Sequence, residues 1–445
     1  MQRHSLGRRS GCAVFLIITN ILNYIDRFTL PSVLTDVQKY FSLGDTGGGL
    51  LQTIFIIFFM IASAFGHLGD RYNRKSIMLI GISLWSISLF ASSFIPSTMF
   101  WLFVVLRGIV GIGMAAFSCI SLSVIADLFS STTRSMIYMI FCFAVPLGAG
   151  VGYMIGSALA SYFNQWQYAI RLTPAIGTIF VIVGFLLLVD PERGANEFEE
   201  INGKIDRSPR ATFWTLITNF TFVLSTMGYT GMVFVAGTTA WWLPTAVLHS
   251  EAARLNHTTT DDLSSEHRDQ VNMTFGSISC LGGLVGVVIG SLLSEALRRG
   301  TLKIIPPMRQ SDPFVCFLGA SLSAGAFIMA FYYMAMDLYK CYLFLLIAVT
   351  GLSFNWAIIV TLTYSVVAPY RRNAASSWQI FFSHAFGDSC GPYIIGMASD
   401  YLPFLFLAAS FTINNDMEKC KMETEHKANV IDVKMEETKA MIEQK

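Results

Sequence analysis

The clearest pattern in this chain is a series of long apolar stretches separated by short polar connectors. A helix needs about 20 predominantly apolar residues to cross a bilayer. Eleven stretches reach that length, at residues 12–34, 47–68, 76–96, 100–126, 135–160, 168–189, 214–247, 273–297, 313–336, 341–367 and 374–399. The pattern predicts an all-α membrane protein.

The same pattern divides the chain into two halves. Six spans precede a polar connector at 190–212, and five spans follow it. After them only 401–413 is apolar, which is too short to cross a bilayer alone, and a charged tail follows. We therefore predict an N-terminal six-helix bundle at 1–189 and a cytoplasmic linker at 190–212. A C-terminal bundle at 213–413, with five full helices and one short segment, would precede a solvated tail at 414–445.

Composition supports a membrane protein and excludes several other classes. Hydrophobic residues make up 53% of the chain and charged residues 13%, against roughly 25% charged in soluble proteins. The formal net charge of +1 and the lack of a basic block argue against a nucleic-acid partner. The eight cysteines are scattered without metal-ligand spacing, so we predict no metal and no cofactor. No Ser/His/Asp arrangement or cluster of His and Asp ligands points to an enzyme.

The distribution of Lys and Arg predicts the orientation of the chain. With the amino terminus in the cytoplasm, the inner connectors hold seventeen basic residues up to residue 400 and the outer connectors hold four. Cytoplasmic loops carry such an excess of Lys and Arg. Asn256 and Asn272 each begin an Asn-x-Thr acceptor in the loop assigned to the outside or lumen, and we predict that both are glycosylated.

The connector between the second and third spans carries a specific cluster of residues. A glycine, a carboxylate and three basic side chains follow the pattern Gly-x-x-x-Asp-Arg-x-x-Arg-Lys at the membrane edge. This pattern resembles that of the major facilitator superfamily, in which charge pairs at this loop hold one conformation. The resemblance implies a conformational latch formed by Gly66, Asp70, Arg71, Arg74 and Lys75. Asp127 and Arg134 flank the inner turn after the fourth span and are predicted to act as a second latch.

The first span carries charged side chains within its apolar sequence. Thr19, Asn23 and Asp26 share one helical face, and Arg27 lies on the neighbouring stripe. A charge at bilayer depth costs about 2.5–3.5 kcal/mol on the mild insertion scale. We therefore expect Asn23, Asp26 and Arg27 to border a wet cavity and to bind substrate or couple its movement. The alternative is that Asp26 and Arg27 only pair with partners and hold helices together.

The fourth span contains Arg107 followed by Gly111 and Gly113, in the pattern Arg-x-x-x-Gly-x-Gly. The glycines permit close approach of neighbouring helices. A buried guanidinium offers two parallel hydrogen bonds to a phosphate or carboxylate. We predict that Arg107 binds an anionic group or relays charge, with a purely structural ion pair as the alternative.

The C-terminal half contributes a second set of candidates. His384 and Asp388 lie one turn apart in the eleventh span, and they form either a proton-sensitive pair or an ordinary contact between helices. Trp356 either lines a lipid tail, packs against other aromatic side chains or belongs to an aromatic belt at the membrane surface. Tyr153, in the fifth span, lies in a Gly-x-x-x-Gly segment that is echoed in the eleventh, and we include it among the substrate-site candidates.

Taken together, these segments resemble the Spinster family of the major facilitator superfamily. The resemblance covers residues 20 to about 400 and rests on 23–28, 69–75, 107–111, 126–129, 355–358 and 383–388. It implies two pseudo-symmetric six-helix bundles, here with the twelfth helix truncated or incomplete. It also implies export of single-tailed amphiphilic lipids, either lysophospholipids or sphingolipids such as sphingosine 1-phosphate. The family works by alternating access, with proton coupling in part of the family.

One departure from the family pattern bears on coupling. The family has a glutamate just after the glycines of the fourth span, and this chain has Met114 there, so a titratable carboxylate is missing near Arg107. The implied partners are the membrane, a lipid substrate and protons, with the protein monomeric. The implied location is the membrane of late endosomes or lysosomes, with the plasma membrane second. Two alternatives stay open: a facilitator for a small polar organic anion or sugar, and a non-transporting truncated isoform.

Overall fold

The computed structural model describes residues 6–64, 72–129, 137, 140–190, 209–257, 260–300, 310–367 and 371–401. Within these residues the regular structure is helical and no strand occurs. The short apolar segment predicted at 401–413 lies outside the described residues after Tyr401, as does the tail at 414–445.

The N-terminal half consists of seven described helices. They are α1 (Leu6–Ser32), α2 (Leu34–Phe41), α3 (Asp45–Ala64), α4 (Arg74–Ser92), α5 (Phe100–Leu128), α6 (Ala144–Phe163) and α7 (Gln167–Leu187). All but α2 coincide with predicted spans. The short α2 continues α1 at the predicted outer face, where Ser42 ends it in the left-handed conformation.

The C-terminal half follows the linker region. Its described helices are α8 (Pro209–Ile217), α9 (Phe220–Arg254), α10 (Ser265–Arg299), α11 (Ser311–Met334), α12 (Leu338–Ser353), α13 (Asn355–Val366) and α14 (Arg372–Ser383). In the described part of the chain, ten helical segments are long and apolar enough to cross a membrane, with α12 and α13 together forming one of them. The predicted all-α membrane class is confirmed.

The eleventh predicted span is helical but broken in the middle. After α14, the backbone forms a π-helical segment at His384–Asp388, and residues 390–401 are again α-helical. Gly387 leaves helical geometry inside this segment, with φ −97° and ψ −106°. Such π-bulges occur frequently at functional sites, because they re-aim side chains without ending the helix.

Packing within each half is extensive. In the first half, α1 packs on α6, while α3 and α4 both pack on α5. Leu16, Phe55 and Trp85 are fully buried in the core that these helices share. In the second half, α12 packs against both α10 and α11.

The main contact between the halves is formed by α6 and α10. A Cβ atom added to Gly150 would lie 2.8 Å from the carbonyl oxygen of Gly276, and one added to Gly276 would lie 2.6 Å from that of Gly150. The two backbones therefore touch directly. Small residues at this position provide the close helix approach that stabilises membrane helix pairs.

The hydrogen bonds between described residues of the two halves lie between mid-membrane and the predicted outer ends of the helices. They join Arg27 to Asp388, Thr53 to Ser389, Tyr153 to Ala240, Ser157 and Ser161 to Asp269, Asp36 to Arg268, Ser32 and Ser157 to Asn272, and Asp45 and Thr46 to Ser399 and Asp400. Among the described residues, the two halves are therefore joined at the predicted outer ends of their helices in this conformation.

Candidate functional site

The centre of the site is a group of three ionisable side chains from opposite halves. Arg27, near the outer end of α1, donates from Nη2 to Oδ2 of Asp388 at 2.7 Å. The other carboxylate oxygen of Asp388 lies 2.8 Å from Nδ1 of His384. The side chains of Arg27 and Asp388 are only 14% and 6% exposed, so this is a buried ion pair that crosses the interface between the bundles.

The π-helical segment explains how Asp388 reaches this position. His384 and Asp388 are its first and last residues, and the backbone packs closely on α9. A Cβ atom on Gly237 would lie 2.3 Å from that of Asp388, so only glycine fits there on α9. The local widening of the helix thus directs both ionisable groups toward Arg27.

Asp26 has a different environment, and the expectation that it borders a wet cavity is wrong for this conformation. Its side chain is buried, with the residue 1% exposed. Oδ2 accepts a hydrogen bond from Nε1 of Trp85 at 2.9 Å, and Oδ1 accepts one from the hydroxyl of Thr173 at 2.6 Å. All three residues belong to the N-terminal half, so Asp26 is held by neutral donors of its own bundle. Asn23 is also buried, at 4% exposed.

Arg107 is buried, and two of its three guanidinium nitrogens have no hydrogen-bond acceptor among the described residues. The residue is 3% exposed, and no acceptor among the described residues lies within bonding distance of its Nε or Nη2 atoms. Asp26 is close enough to interact with it electrostatically, although the hydrogen bonds of Asp26 come from Trp85 and Thr173. Buried polar groups nearly always have partners, so the guanidinium of Arg107 has an open binding capacity for an anion.

One aromatic ring contacts both arginines. The centre of the Phe55 ring lies 5.5 Å from the guanidinium carbon of Arg27 and 4.7 Å from that of Arg107. These distances are typical of cation–π contacts. The Phe55 ring on α3 therefore brings the two cations toward one region of the interface. His384 meets the neighbouring Phe59 ring edge-on, at 6.1 Å between ring centres.

Tyr153 and Trp356 make their contacts outside this group. Tyr153 is fully buried, and its hydroxyl donates to the carbonyl oxygen of Ala240 in the opposite half. Trp356 is 39% exposed and packs edge-on against Tyr229, with ring centres 5.9 Å apart. The structure thus brings Arg27, Asp388 and His384 together, whereas Tyr153 makes a separate contact between the halves.

The predicted latches are partly within the described residues. Arg74 and Asp127, assigned to two separate latches by the sequence, form one buried ion pair between α4 and α5. The backbone N–H of Arg74 also donates to Asp190 at 3.3 Å, at the end of the first bundle. The ammonium of Lys75 donates to the carbonyl oxygen of Phe185 at 2.5 Å. Gly66, Asp70, Arg71 and Arg134 lie outside the described residues.

The two predicted glycosylation acceptors have contrasting positions. Asn256 is exposed in the turn after α9. Asn272 lies within α10 and is 2% exposed, and its Nδ2 donates to the hydroxyl of Ser157 at 3.2 Å. The expectation that Asn272 lies in an exposed loop is wrong, because α10 begins at Ser265 and carries this residue into the interface between the halves.

Sequence reasoning missed several residues of the site. Trp85 and Thr173 lie in apolar spans, where a Trp or Thr is usually explained by packing, and nothing in the sequence marks them as partners of Asp26. Phe55 gave no signal for the same reason. Asp400 could have been noticed as a carboxylate at the end of a span; its role as an acceptor for α3 depends on the tertiary fold.

Comparisons with known proteins agree with this fold. Residues 16–392 match the family model described as Major Facilitator Superfamily. Protein spinster homolog 1 from Mus musculus is 40% identical over 403 residues, covering 89% of this chain and 74% of that protein. Sphingosine-1-phosphate transporter SPNS2 from Xenopus tropicalis is 38% identical over 395 residues, covering 88% of this chain and 74% of that protein.

A solved structure shows the same architecture. It is that of a bacterial homologue of the human lysosomal transporter Spinster, in an inward-facing and unoccupied conformation. It superposes with a TM-score of 0.74 over 92% of this chain and 86% of that one, at 20% sequence identity. The chain therefore belongs to the major facilitator superfamily, and within it this protein is a membrane transporter of the Spinster family.

Proposed function

We propose that this transporter moves a single-tailed amphiphilic lipid with an anionic headgroup by alternating access, and that Arg107 binds the headgroup. The observation that carries the proposal is the buried guanidinium of Arg107, whose Nε and Nη2 lack acceptors among the described residues. A hydrogen bond to a charged group contributes about 1.5–3 kcal/mol. Two oxygens of one phosphate or carboxylate could accept from the two nitrogens in parallel, so this position favours such a ligand.

The surroundings of Arg107 favour a lipid over a small polar solute. Phe55 contacts Arg107 and Phe59 contacts His384, and Tyr229 and Trp356 form a second aromatic pair in the C-terminal half. These rings could accommodate a hydrocarbon chain, while the cations hold the headgroup. The name of the Xenopus tropicalis relative, a sphingosine-1-phosphate transporter, supports a lipid that has both features.

Arg27, Asp388 and His384 are proposed as the coupling group. Arg27 is engaged by Asp388 at 2.7 Å, so it could contact a substrate only after this ion pair is exchanged. A substrate phosphate that enters between the halves would compete with Asp388 for Arg27. His384 would stabilise the released carboxylate when protonated, which links the exchange to a proton. Asn23 and Tyr153 are proposed as supporting residues of the same interface.

The inner side of the N-terminal bundle is proposed as the latch that holds the outward-open conformation, in which the outer ends of the two halves are apart. The buried pair of Arg74 and Asp127 would fix the inner ends of α4 and α5, and Lys75, Gly66, Asp70, Arg71 and Arg134 would complete it. We propose late endosomes or lysosomes as the location, with the plasma membrane second. Imaging of a tagged chain with markers of both membranes tests this assignment.

The proposal is tested by counterflow in proteoliposomes with labelled sphingosine 1-phosphate, lysophosphatidylcholine and sphingosine, at two pH values. We expect phosphate-bearing lipids to exchange and sphingosine, which lacks the phosphate, to exchange much less. Arg107→Ala should abolish exchange without lowering the folded yield. Arg299→Ala, at an exposed position on α10, is the matched control and should behave as the unaltered protein.

Four outcomes would overturn parts of this proposal. Normal exchange by Arg107→Ala would remove Arg107 from the binding site. Exchange of a sugar or small organic anion, with no lipid exchange, would favour the alternative facilitator. Absence of exchange for every solute by a folded protein would favour a non-transporting protein. Exchange that is independent of pH would remove proton coupling from the mechanism.

A further inference from the structure

The outer ends of α3 and residues 390–401 form a contact that the mechanism above does not use. Asp400, in the C-terminal half, accepts a hydrogen bond at Oδ1 from the backbone N–H of Asp45 at 3.0 Å. Its Oδ2 accepts one from the backbone N–H of Thr46 at 2.7 Å. Because α3 begins at Asp45, these are the first two N–H groups of that helix, which have no partner within the helix itself. A carboxylate of one bundle therefore caps a helix of the other.

The same contact is reinforced in the opposite direction. The hydroxyl of Ser399 donates to Oδ2 of Asp45 at 2.6 Å, so each segment supplies a carboxylate to the other. Gln38 donates to Oδ1 of Asp45 at 2.9 Å and fixes that side chain from within its own half. The positive end of the α3 dipole faces the charge of Asp400, which adds an electrostatic attraction to the hydrogen bonds.

The two backbones are as close here as van der Waals contact allows. A Cβ atom on Gly396 would lie 2.3 Å from the carbonyl oxygen of Asp45, and one on Gly49 would lie 2.4 Å from that of Pro392. Any side chain at these two positions would push the segments apart. The cap by Asp400 therefore forms only when the outer ends of α3 and residues 390–401 are in contact.

The remaining outer contacts between the halves involve side chains of α10. Arg268 donates to Asp36 at 3.3 Å, and Asp269 accepts from Ser161 at 2.7 Å. Both contacts join side chains that could find other partners or water after separation. The cap by Asp400 differs because it satisfies backbone N–H groups at the start of a membrane helix.

The contact between the outer end of α3 and residues 390–401 is the outer gate of this transporter. We propose that Asp400 holds this gate closed by capping α3 across the interface between the two bundles. When the bundles rock apart at the outer face, the cap is lost and water must replace it. The loss raises the free energy of the outward-open state relative to the outer-closed one. Asp400 thus sets the resting balance between the two states. The inference rests on the transporter assignment and is independent of which substrate is carried.

The test measures the outer gate directly, without substrate. Thr98 and Glu266 are both exposed at the predicted outer face and lie in opposite halves. Spin labels at these two positions report the distance between the halves by pulsed electron paramagnetic resonance in nanodiscs. We expect one short distance in the parent protein and a second, longer distance in Asp400→Asn. Asp400→Glu should restore the short distance, because it keeps the charge.

Asp337→Asn is the matched control, because Asp337 caps α12 within its own half by accepting from the N–H groups of Tyr339 and Lys340. It should leave the label distance unchanged. Gly396→Ala supplies a second, independent route to opening and should also populate the longer distance. An unchanged distribution in Asp400→Asn, alongside a longer distance in Gly396→Ala, would overturn the proposal. A lengthened distance that the control reproduces would do so as well. Neither outcome depends on lipid exchange.

Discussion

Asp26 and Asp388 are both carboxylates buried in the membrane region, but they are stabilised in opposite ways. Asp26 accepts hydrogen bonds from two neutral donors, Trp85 and Thr173, which belong to its own bundle. Asp388 is paired with Arg27 of the opposite bundle and with His384 of its own. Rocking of the two bundles would leave the contacts of Asp26 intact and break the pair of Asp388 with Arg27.

The contrast indicates which carboxylate belongs to the moving part. A buried ion pair contributes little net stability, because desolvation offsets its attraction, but the loss of one partner is costly. Such a pair is suited to an interface that must exchange partners. A carboxylate with fixed neutral donors is suited to a rigid element. A charge inside the membrane is therefore not sufficient to identify a coupling residue. The deciding observation is whether its partners belong to its own bundle or to the opposite one.

The largest effect is expected from Asp388→Ala, which leaves Arg27 buried without its acceptor. Truncation of one partner of a buried pair costs about 3–5 kcal/mol, so the melting temperature in detergent should fall clearly. Counterflow should drop more than tenfold. Exchange of the two charges, in the double variant with Arg27→Asp and Asp388→Arg, should recover part of the stability. Full activity of Asp388→Ala would contradict the role assigned to this pair.

A smaller effect is expected from Trp85→Phe, which removes one of the two donors to Asp26. An unsatisfied buried acceptor costs about 1–3 kcal/mol, and Thr173 still bonds to the other oxygen. The melting temperature should fall modestly, while the pH profile of counterflow should stay that of the parent. Thr173→Val serves as the matched variant for the second donor. A shift of the pH profile in either variant would show that Asp26 takes part in coupling and would erase the contrast with Asp388.

The smallest effect concerns a third carboxylate, Asp400, at the outer edge. Burial tends to raise its pKa, but hydrogen bonds from Thr46 and Asp45 outweigh burial and hold the pKa below its usual range. Asp45, the other acidic group at this contact, is bonded to Ser399 and Gln38. Because the pKa of Asp400 is lowered, its contribution is present above the ordinary value of about 3.9 and is lost only as the pH falls through the depressed value.

The label distance across the outer gate should therefore stay the same between neutral pH and pH 5. It should lengthen only under stronger acid, and Asp400→Asn should remove this dependence. A gate that opens between neutral pH and pH 5 in the parent protein would show that another group controls it. In that case the outer gate would respond to the titration of a group other than Asp400.

The helices could be predicted well from the sequence, because each membrane span must satisfy its own backbone hydrogen bonds and present apolar side chains to lipid. Local pairs were equally accessible. His384 and Asp388 are four residues apart, and their contact follows from helical geometry. The close approach predicted from Gly111 is also present, since a Cβ atom there would lie 2.4 Å from the carbonyl oxygen of Phe55.

Contacts between distant spans could not be predicted in the same way. Arg27 and Asp388 are 361 residues apart, and their pairing depends on how each helix is rotated within its bundle. Rotation is set by side-chain packing over the whole interface, which no single-sequence pattern reports. For the same reason Asp26 turned toward Trp85 instead of water, and Arg74 paired with Asp127 across two predicted latches.

The Phe55 ring, which contacts Arg27 and Arg107 together, has a consequence for selectivity. The two guanidinium groups repel each other, while Asp26 attracts Arg107 and Asp388 binds Arg27. An incoming anion relieves the repulsion, which compensates part of its own loss of hydration. An uncharged headgroup gains no such relief. If the substrate is the anionic lipid proposed above, the repulsion between the two arginines would favour it over a neutral amphiphile before any headgroup-specific hydrogen bond is formed.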